Sequence, residues 1–218
     1  MMKFLLLFVL FTYAMASSAR KHYGVLATHH GAHETGACEL PTSNYTTRYP
    51  VALGTIDSLK DLKFRPELCG QILEVNCCQG TLHLIVVNSN IGGGLDLYST
   101  SWARITRNKP PGQTSCSVKL SSHNAFNFNG PRCFYKPGTD FNNTYYHNVG
   151  LLNTNGRRVT RATIDGRQGE HRGDNPYFAF DFGPIDGNKQ IIFYLDDGSK
   201  TAVYLRDCEY QKQNKYWF

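Results

Sequence analysis

An almost all-β chain is expected from three features of the sequence. Short apolar, β-branched runs recur between turn residues, 20 glycines punctuate the spaces between them, and only one segment carries a convincing helical spacing.

The first apolar run stands apart from this pattern. Residues 1–19 (MMKFLLLFVLFTYAMASSA) place one lysine before an apolar stretch and end in small residues. Ala14-Met15-Ala16 fits a cleavage site and Ala19 offers a second. This is the order of a secretory signal, too short and wrongly flanked for a membrane span. No other run approaches the ~20 apolar residues a span needs. The mature chain is therefore expected to be secreted and extracellular.

Residues 57–62 carry a weak helical signal. Residues 82–87 (LHLIVV) read as a strand bounded by Gly80 and by Asn88-Ser89-Asn90. In residues 100–106, Trp102 and Ile105 are spaced by three, and Ser99, Thr100 or Ser101 could cap a helix. Residues 148–152 and 158–164, separated by Asn155-Gly156, read as a hairpin. Residues 177–182 (YFAFDF) read as an aromatic strand, and residues 190–195 and 200–205, joined through Asp196-Asp197-Gly198, as a second hairpin. Residues 107–114 (RNKPPGQT) make a break rich in turn formers. It divides the mature chain into 20–114 and 115–218, each of ~100 residues and normal for a small β domain.

The formal charge is +6, and the two halves differ little: 9 basic and 7 acidic groups in 20–114, 13 and 10 in 115–218. Such a mixed surface lacks the basic stripe of a dedicated nucleic-acid binder, but it favours weak adhesion to anionic surfaces such as acidic polysaccharide. The seven cysteines, Cys38, Cys69, Cys77, Cys78, Cys116, Cys133 and Cys208, read as disulfide partners in a secreted chain. An odd count leaves one thiol over, and adjacent Cys77 and Cys78 point opposite ways on a strand, so one of them is the candidate. The chain is expected to be a monomer unless that cysteine links two copies. No CxxC pair suggests zinc. Asn44 and Asn142 head Asn-x-Thr triplets and are candidate glycosylation sites.

Gly92-Gly93-Gly94 fits neither phosphate-binding fingerprint, so these glycines read as a loop that lets the backbone come close to something. Asp96 follows between two leucines, and strand alternation puts it on the opposite face from both. Hydrolysis of a glycosidic bond needs two carboxyl groups flanking that bond, and no other acid of the first half is marked as a partner. His29, His30 and His33 (HHGAH) could bind Zn²⁺ or Cu²⁺, but Gly31 argues against a regular helix. A polar loop lining a groove is the preferred reading, with no metal and no cofactor.

In order along the chain, Ala27-Thr28-His29-His30-Gly31, Gly36-Ala37-Cys38, Tyr49-Pro50-Val51-Ala52-Leu53, Cys69-Gly70, Leu95-Asp96-Leu97, Trp102-Ala103-Arg104-Ile105 and Pro111-Gly112-Gln113 resemble the expansin family. That resemblance implies a double-psi β-barrel followed by an immunoglobulin-like, carbohydrate-binding β-sandwich. The sandwich is matched by residues 143–164 and 191–205, so the resemblance covers nearly the whole mature chain. Ile72 stands where the family has the middle cysteine of its C-G-x-C-Y-E-V pattern.

Asp96 then corresponds to the acid shared by lytic and non-lytic members of the barrel family. Lytic members add an aspartate near the A-T-x-Y segment, which here reads His29-His30-Gly31-Ala32-His33. Bacterial expansins carry an aspartate where this chain has Asn88, and an amide cannot serve as a base. The resemblance therefore implies a protein that binds polysaccharide (cellulose-, chitin- or pectin-like) and loosens glycan networks without cutting, with Asp96 as a vestigial acid. Thr28, His30, Asn88 and Asp96 are the candidate glycan contacts in the first domain. Tyr145, Tyr146, Tyr177 and Trp217 are candidates to stack on sugars in the second, although half or more of them are expected in the core, and Trp102 is expected in the core. Two alternatives stand beside this reading: an endoglucanase using Asp96 as general acid with Glu34 or Glu39 as a displaced base, and a defence or protease-inhibitor double-psi barrel.

Overall fold

The computed structural model describes residues 20–31, 36–41, 44–77 and 80–211. The expected signal segment, His33, Glu34, Cys78 and Trp217 lie outside the described residues.

The chain is all-β. Six strands close a barrel: β1 (His22–His30), β2 (Pro50–Gly54), β3 (Ile72–Cys77), β4 (Gly80–Asn90), β5 (Leu95–Tyr98) and β6 (Gln113–Leu120). Their order around the barrel is β1-β5-β2-β4-β3-β6. Two pairs, β1 with β5 and β2 with β4, are parallel, and the remaining pairs are antiparallel. This interleaved order is that of the expected double-psi barrel, and closure leaves no free edge. Val25, Ala27, Val51, Leu53, Val75, Leu84, Leu95 and Leu97 fill its interior.

Helix α1 (Ser99–Thr106) follows β5 directly and ends at Arg107 in the left-handed conformation. It buries Trp102 and Ile105, as their spacing predicts. The expected side-chain cap is absent: the cap position is Tyr98 and makes no side-chain cap bond. Ser101 instead donates to the Pro50 carbonyl at 2.6 Å, which ties the helix to β2. Residues 57–62 form a 3-10 turn interrupted at Lys60.

Beyond the barrel, β7 (Arg132–Tyr135), β8 (His147–Leu152), β11 (Glu170–His171) and β12 (Phe178–Phe180) form one four-stranded sheet, ordered β11-β12-β8-β7. The other is ordered β10-β9-β13-β14, from β9 (Val159–Ile164), β10 (Arg167–Gln168), β13 (Gln190–Leu195) and β14 (Lys200–Tyr204). Val149, Leu151, Ala162, Ile164, Phe178, Phe180, Ile191 and Phe193 form the core between them. The expected β13–β14 hairpin is present.

Two expectations are corrected here. The stretch read as a hairpin over 148–164 is a crossover, because β8 pairs with β7 and β12 while β9 pairs with β10 and β13. Asn153, at φ 66°, donates from Nδ2 to the carbonyls of Phe128 and Gly130 and accepts from the Phe126 amide, which pins the connection against the barrel exit. The break at 107–114 does not end the barrel either. β6 runs on to Leu120 and pairs with both β1 and β3, so the barrel cannot close without residues 115–120.

Three disulfides are present among the described residues: Cys38–Cys69, Cys77–Cys116 and Cys133–Cys208. The first tethers the loop over the end of β4, the second joins β3 to β6, and the third fastens β7 to the segment after β14. Among the described residues, no helix is long and apolar enough to cross a membrane.

The barrel core continues outward through Phe126, Phe134, Leu152 and Tyr177. Gln71 donates to Thr154 Oγ1 and the Arg157 carbonyl, both at 3.1 Å, and Lys136 pairs with Glu39 at 3.0 Å. Tyr177, fully buried, donates its hydroxyl to the Glu39 carbonyl at 3.1 Å, and burial holds its pKa well above the ordinary tyrosine value. It is a junction residue and not a sugar platform.

Candidate functional site

Strand register assembles the site. Thr28 on β1 is level with Asp96 on β5, Asp96 with Ala52 on β2, and Ala52 with Asn88 on β4. Neighbours at one level of a sheet project to one face. Three of the candidate residues thus form a row, with only the short Ala52 side chain between Asp96 and Asn88. Leu95 and Leu97 are fully buried, whereas Asp96 keeps 18% side-chain exposure, as alternation predicts.

Both carboxylate oxygens of Asp96 are engaged. Thr28 Oγ1 donates to Oδ1 at 2.8 Å, and His30 Nδ1 lies 3.1 Å from Oδ2. The His30 ring packs edge-on against Tyr98, with centroids 4.7 Å apart. Tyr98 hydroxyl in turn lies 3.4 Å from Asn88 Nδ2. The neighbouring His29 contacts α1 instead, through Ser99 Oγ at 3.3 Å and an edge-on Trp102. His29 and His30 therefore point to different neighbours. Among the described residues no group of three or more His, Cys, Asp or Glu is arranged to hold a metal ion.

Asn88 is largely committed to the frame. Its Oδ1 accepts from the amides of Ala37 at 2.8 Å and Ser89 at 2.9 Å. This holds the loop of Gly36-Ala37-Cys38 over β4. Gly36 is needed there: it sits at φ +65°, and a Cβ would come within 2.2 Å of the Val87 carbonyl oxygen. Ser89, next on the strand, donates its hydroxyl to Asp174 Oδ2 at 3.1 Å. Residues from beyond the barrel thus reach the end of the row.

The triple glycine permits the close backbone approach that its sequence suggests. A Cβ on Gly54 would stand 1.7 Å from the Gly93 carbonyl oxygen, and one on Gly94 would stand 2.0 Å from that of Leu26. The something that the backbone approaches is the protein's own β1 and β2. Gly93 and Gly94 close the turn before β5 and thereby place Asp96 beside Thr28.

Trp102 is buried, and its ring nitrogen donates to the Lys109 carbonyl at 2.9 Å. Tyr145 is 64% exposed. Tyr146 is half-buried, receives a bond from Asn148 Nδ2 at 3.3 Å, and lies under the Arg172 guanidinium at 5.9 Å. Glu39, a candidate displaced base, is paired with Lys136 as described above. Sequence reasoning missed Tyr98, Ser89 and Asp174. Alternation from Asp96 points to Tyr98, whereas nothing local marks Asp174, 85 residues from Ser89.

No protein-family model matches the sequence, and no curated protein sequence matches it. Solved structures do. The apo expansin of Clavibacter michiganensis aligns with a TM-score of 0.62 at 17% identity, covering 91% of this chain and 96% of that one. An aspartate-to-asparagine mutant of the same bacterial expansin, in complex with cellohexaose, aligns with a TM-score of 0.62 at 18% identity over the same shares. The likeness covers the barrel and the two sheets together, so the chain has the expansin fold.

Proposed function

We propose that this is a secreted, expansin-like protein that binds polysaccharide along the Thr28–Asp96–Asn88 row and loosens glycan networks without hydrolysing them. Asp96 carries this reading: one oxygen is bonded to Thr28 and the other to His30, while the amide of Asn88 occupies the next functional position in the row. Hydrolysis needs a protonated acid facing a second carboxylate across the bond. This row instead offers fixed donors and acceptors suited to sugar hydroxyls.

The fold supports the ligand class, because a protein of the same fold is described in complex with cellohexaose. Tyr145 and Tyr146 supply stacking faces in the second unit. The three disulfides suit an oxidising compartment and agree with a cleaved signal at residues 1–19. We read the chain as two domains with the first ending near Leu120, after the closing barrel strand.

Pull-down of the purified mature protein with cellulose, chitin and pectin tests the proposal. Retention on at least one of them, weakened by Asp96→Asn, is the expected result. Failure to bind any of the three, combined with inhibition of a cysteine protease, would move the protein to the defence-barrel class.

A further inference from the structure

Both Asn-x-Thr triplets expose their asparagine, but among the described residues its side chain is engaged in only one of them. At the first, Thr46 Oγ1 donates to the Asn124 carbonyl at 2.7 Å, the Asn44 carbonyl accepts from the Asn127 amide at 2.8 Å, and Asn127 Nδ2 reaches Asn44 Oδ1 at 3.4 Å. Tyr45, between them, bridges Phe126. Backbone and side chains of this triplet are stitched to the segment that leaves the barrel.

At the second, Asn142 occupies an exposed turn. The turn is closed by the Asn143 amide on the Asp140 carbonyl at 3.1 Å and by the Asn142 amide on Asp140 Oδ1 at 3.0 Å. No hydrogen bond of the Asn142 side chain is recorded among the described residues. Beside it is an aromatic pair that is half-exposed among the described residues. Phe141 is 49% exposed and Tyr210 43% exposed, with ring centroids 5.2 Å apart. Together the two half-exposed rings form a small apolar patch beside the triplet. The electron-rich face of an aromatic ring suits the C–H face of a sugar.

We propose that Asn142, and not Asn44, carries an N-linked glycan whose first sugar packs on Phe141 and Tyr210. This rests on the reading that the chain is secreted. In the linking step, Asn142 Nδ2 attacks C1 of the sugar of a lipid-pyrophosphate-linked oligosaccharide. The N–C1 bond forms, the C1–O bond to pyrophosphate breaks, the lipid pyrophosphate leaves with the bonding pair, and Nδ2 loses one proton. No oxidant or reductant takes part. The glycan then shields the aromatic pair from self-association and stiffens the turn.

The test is to express the full chain, with its own leader, in a secreting insect-cell line and to analyse medium and cells separately. N-terminal sequencing reports leader removal, and glycopeptide mass spectrometry with and without glycosidase reports occupancy at each asparagine. Leader-free protein carrying glycan at Asn142 and none at Asn44 is expected. The glycan contact is read in the same host: Asn142→Gln should lower Tm by about 2–4 °C, the shift of one modest contact in a chain of this size, and that shift should vanish in a Phe141→Ser background. Leader-free protein bare at Asn142, or glycosylated at Asn44, overturns the site, and an equal Tm shift in both backgrounds overturns the aromatic contact. Intracellular protein with its leader intact overturns the secretion reading and the proposal with it, and is told apart by the N-terminus.

Discussion

Thr28 and Asp96 are register partners on two parallel strands, and the threonine hydroxyl donates to the aspartate at 2.8 Å. The barrel is the reason that they meet. They are 68 residues apart in sequence, and only the parallel pairing of β1 with β5 brings them level. Asp96→Asn replaces an acceptor with a group that must donate on one side, which disturbs the bonds to Thr28 or His30. As the charged acceptor of a sugar hydroxyl, Asp96 contributes about 1.5–3 kcal/mol, so its loss should lower polysaccharide affinity roughly 10- to 100-fold. Thr28→Val keeps the shape and removes one donor, and a smaller loss is expected. Depletion assays on the two variants check this order.

The glycines before Asp96 act through the fold. Gly94→Ala would set a methyl 2.0 Å from the Leu26 carbonyl oxygen and 2.9 Å from Ile56 Cδ1. Relief requires backbone movement, and overpacking of this kind costs about 1–3 kcal/mol. Gly112→Ala meets its nearest atom only at 3.9 Å and should lie within about 0.5 kcal/mol of wild type. Urea denaturation of both variants measures the difference.

The Cys133–Cys208 bridge closes a sequence separation of 75 residues, against 31 for Cys38–Cys69. On the chain-entropy account, its removal by a double change to serine costs about 4 kcal/mol, slightly more than loss of the shorter loop. Comparison of the two double variants by chemical denaturation gives the ranking.

Acid should destabilise the protein. Desolvation lowers the pKa of His83, His147 and His171 below the ordinary histidine value, and the facing His123, 4.3 Å away, lowers His83 further. A histidine with a depressed folded pKa takes up a proton more readily when unfolded. Its contribution is therefore complete above the unfolded value, near pH 6.5, and is lost as pH falls through the lower folded value. Tm measured at pH 7.5 and at pH 5 should be lower at pH 5, and the opposite order would contradict the burial argument.

Much of this fold was legible where a local pattern has one structural solution. The apolar run ending before Asn88, the two-stranded segment around Asp196-Asp197-Gly198, and the Trp102–Ile105 spacing each became the expected element. The crossover after β8 was not legible, because Asn155-Gly156 between two apolar runs looks the same in a hairpin and in a step between sheets. The decision lies with Asn153, whose side chain holds residues more than 20 positions earlier. The site divides the same way. Exposure of Asp96 follows from alternation, while its bonds to Thr28 and His30 depend on strand pairing. The tight glycines were recognised as permitting a close approach, but what they approach is another strand of the same barrel.

The central claim is that the Asp96 site binds glycan without cutting it. It is tested most directly by assaying one preparation for retention on insoluble cellulose and for reducing-sugar release from soluble glucan, with Asp96→Asn in parallel. Retention that depends on Asp96, with sugar release no higher than in buffer, is predicted. Sugar release by the wild type that disappears in Asp96→Asn would contradict it and make Asp96 a working general acid.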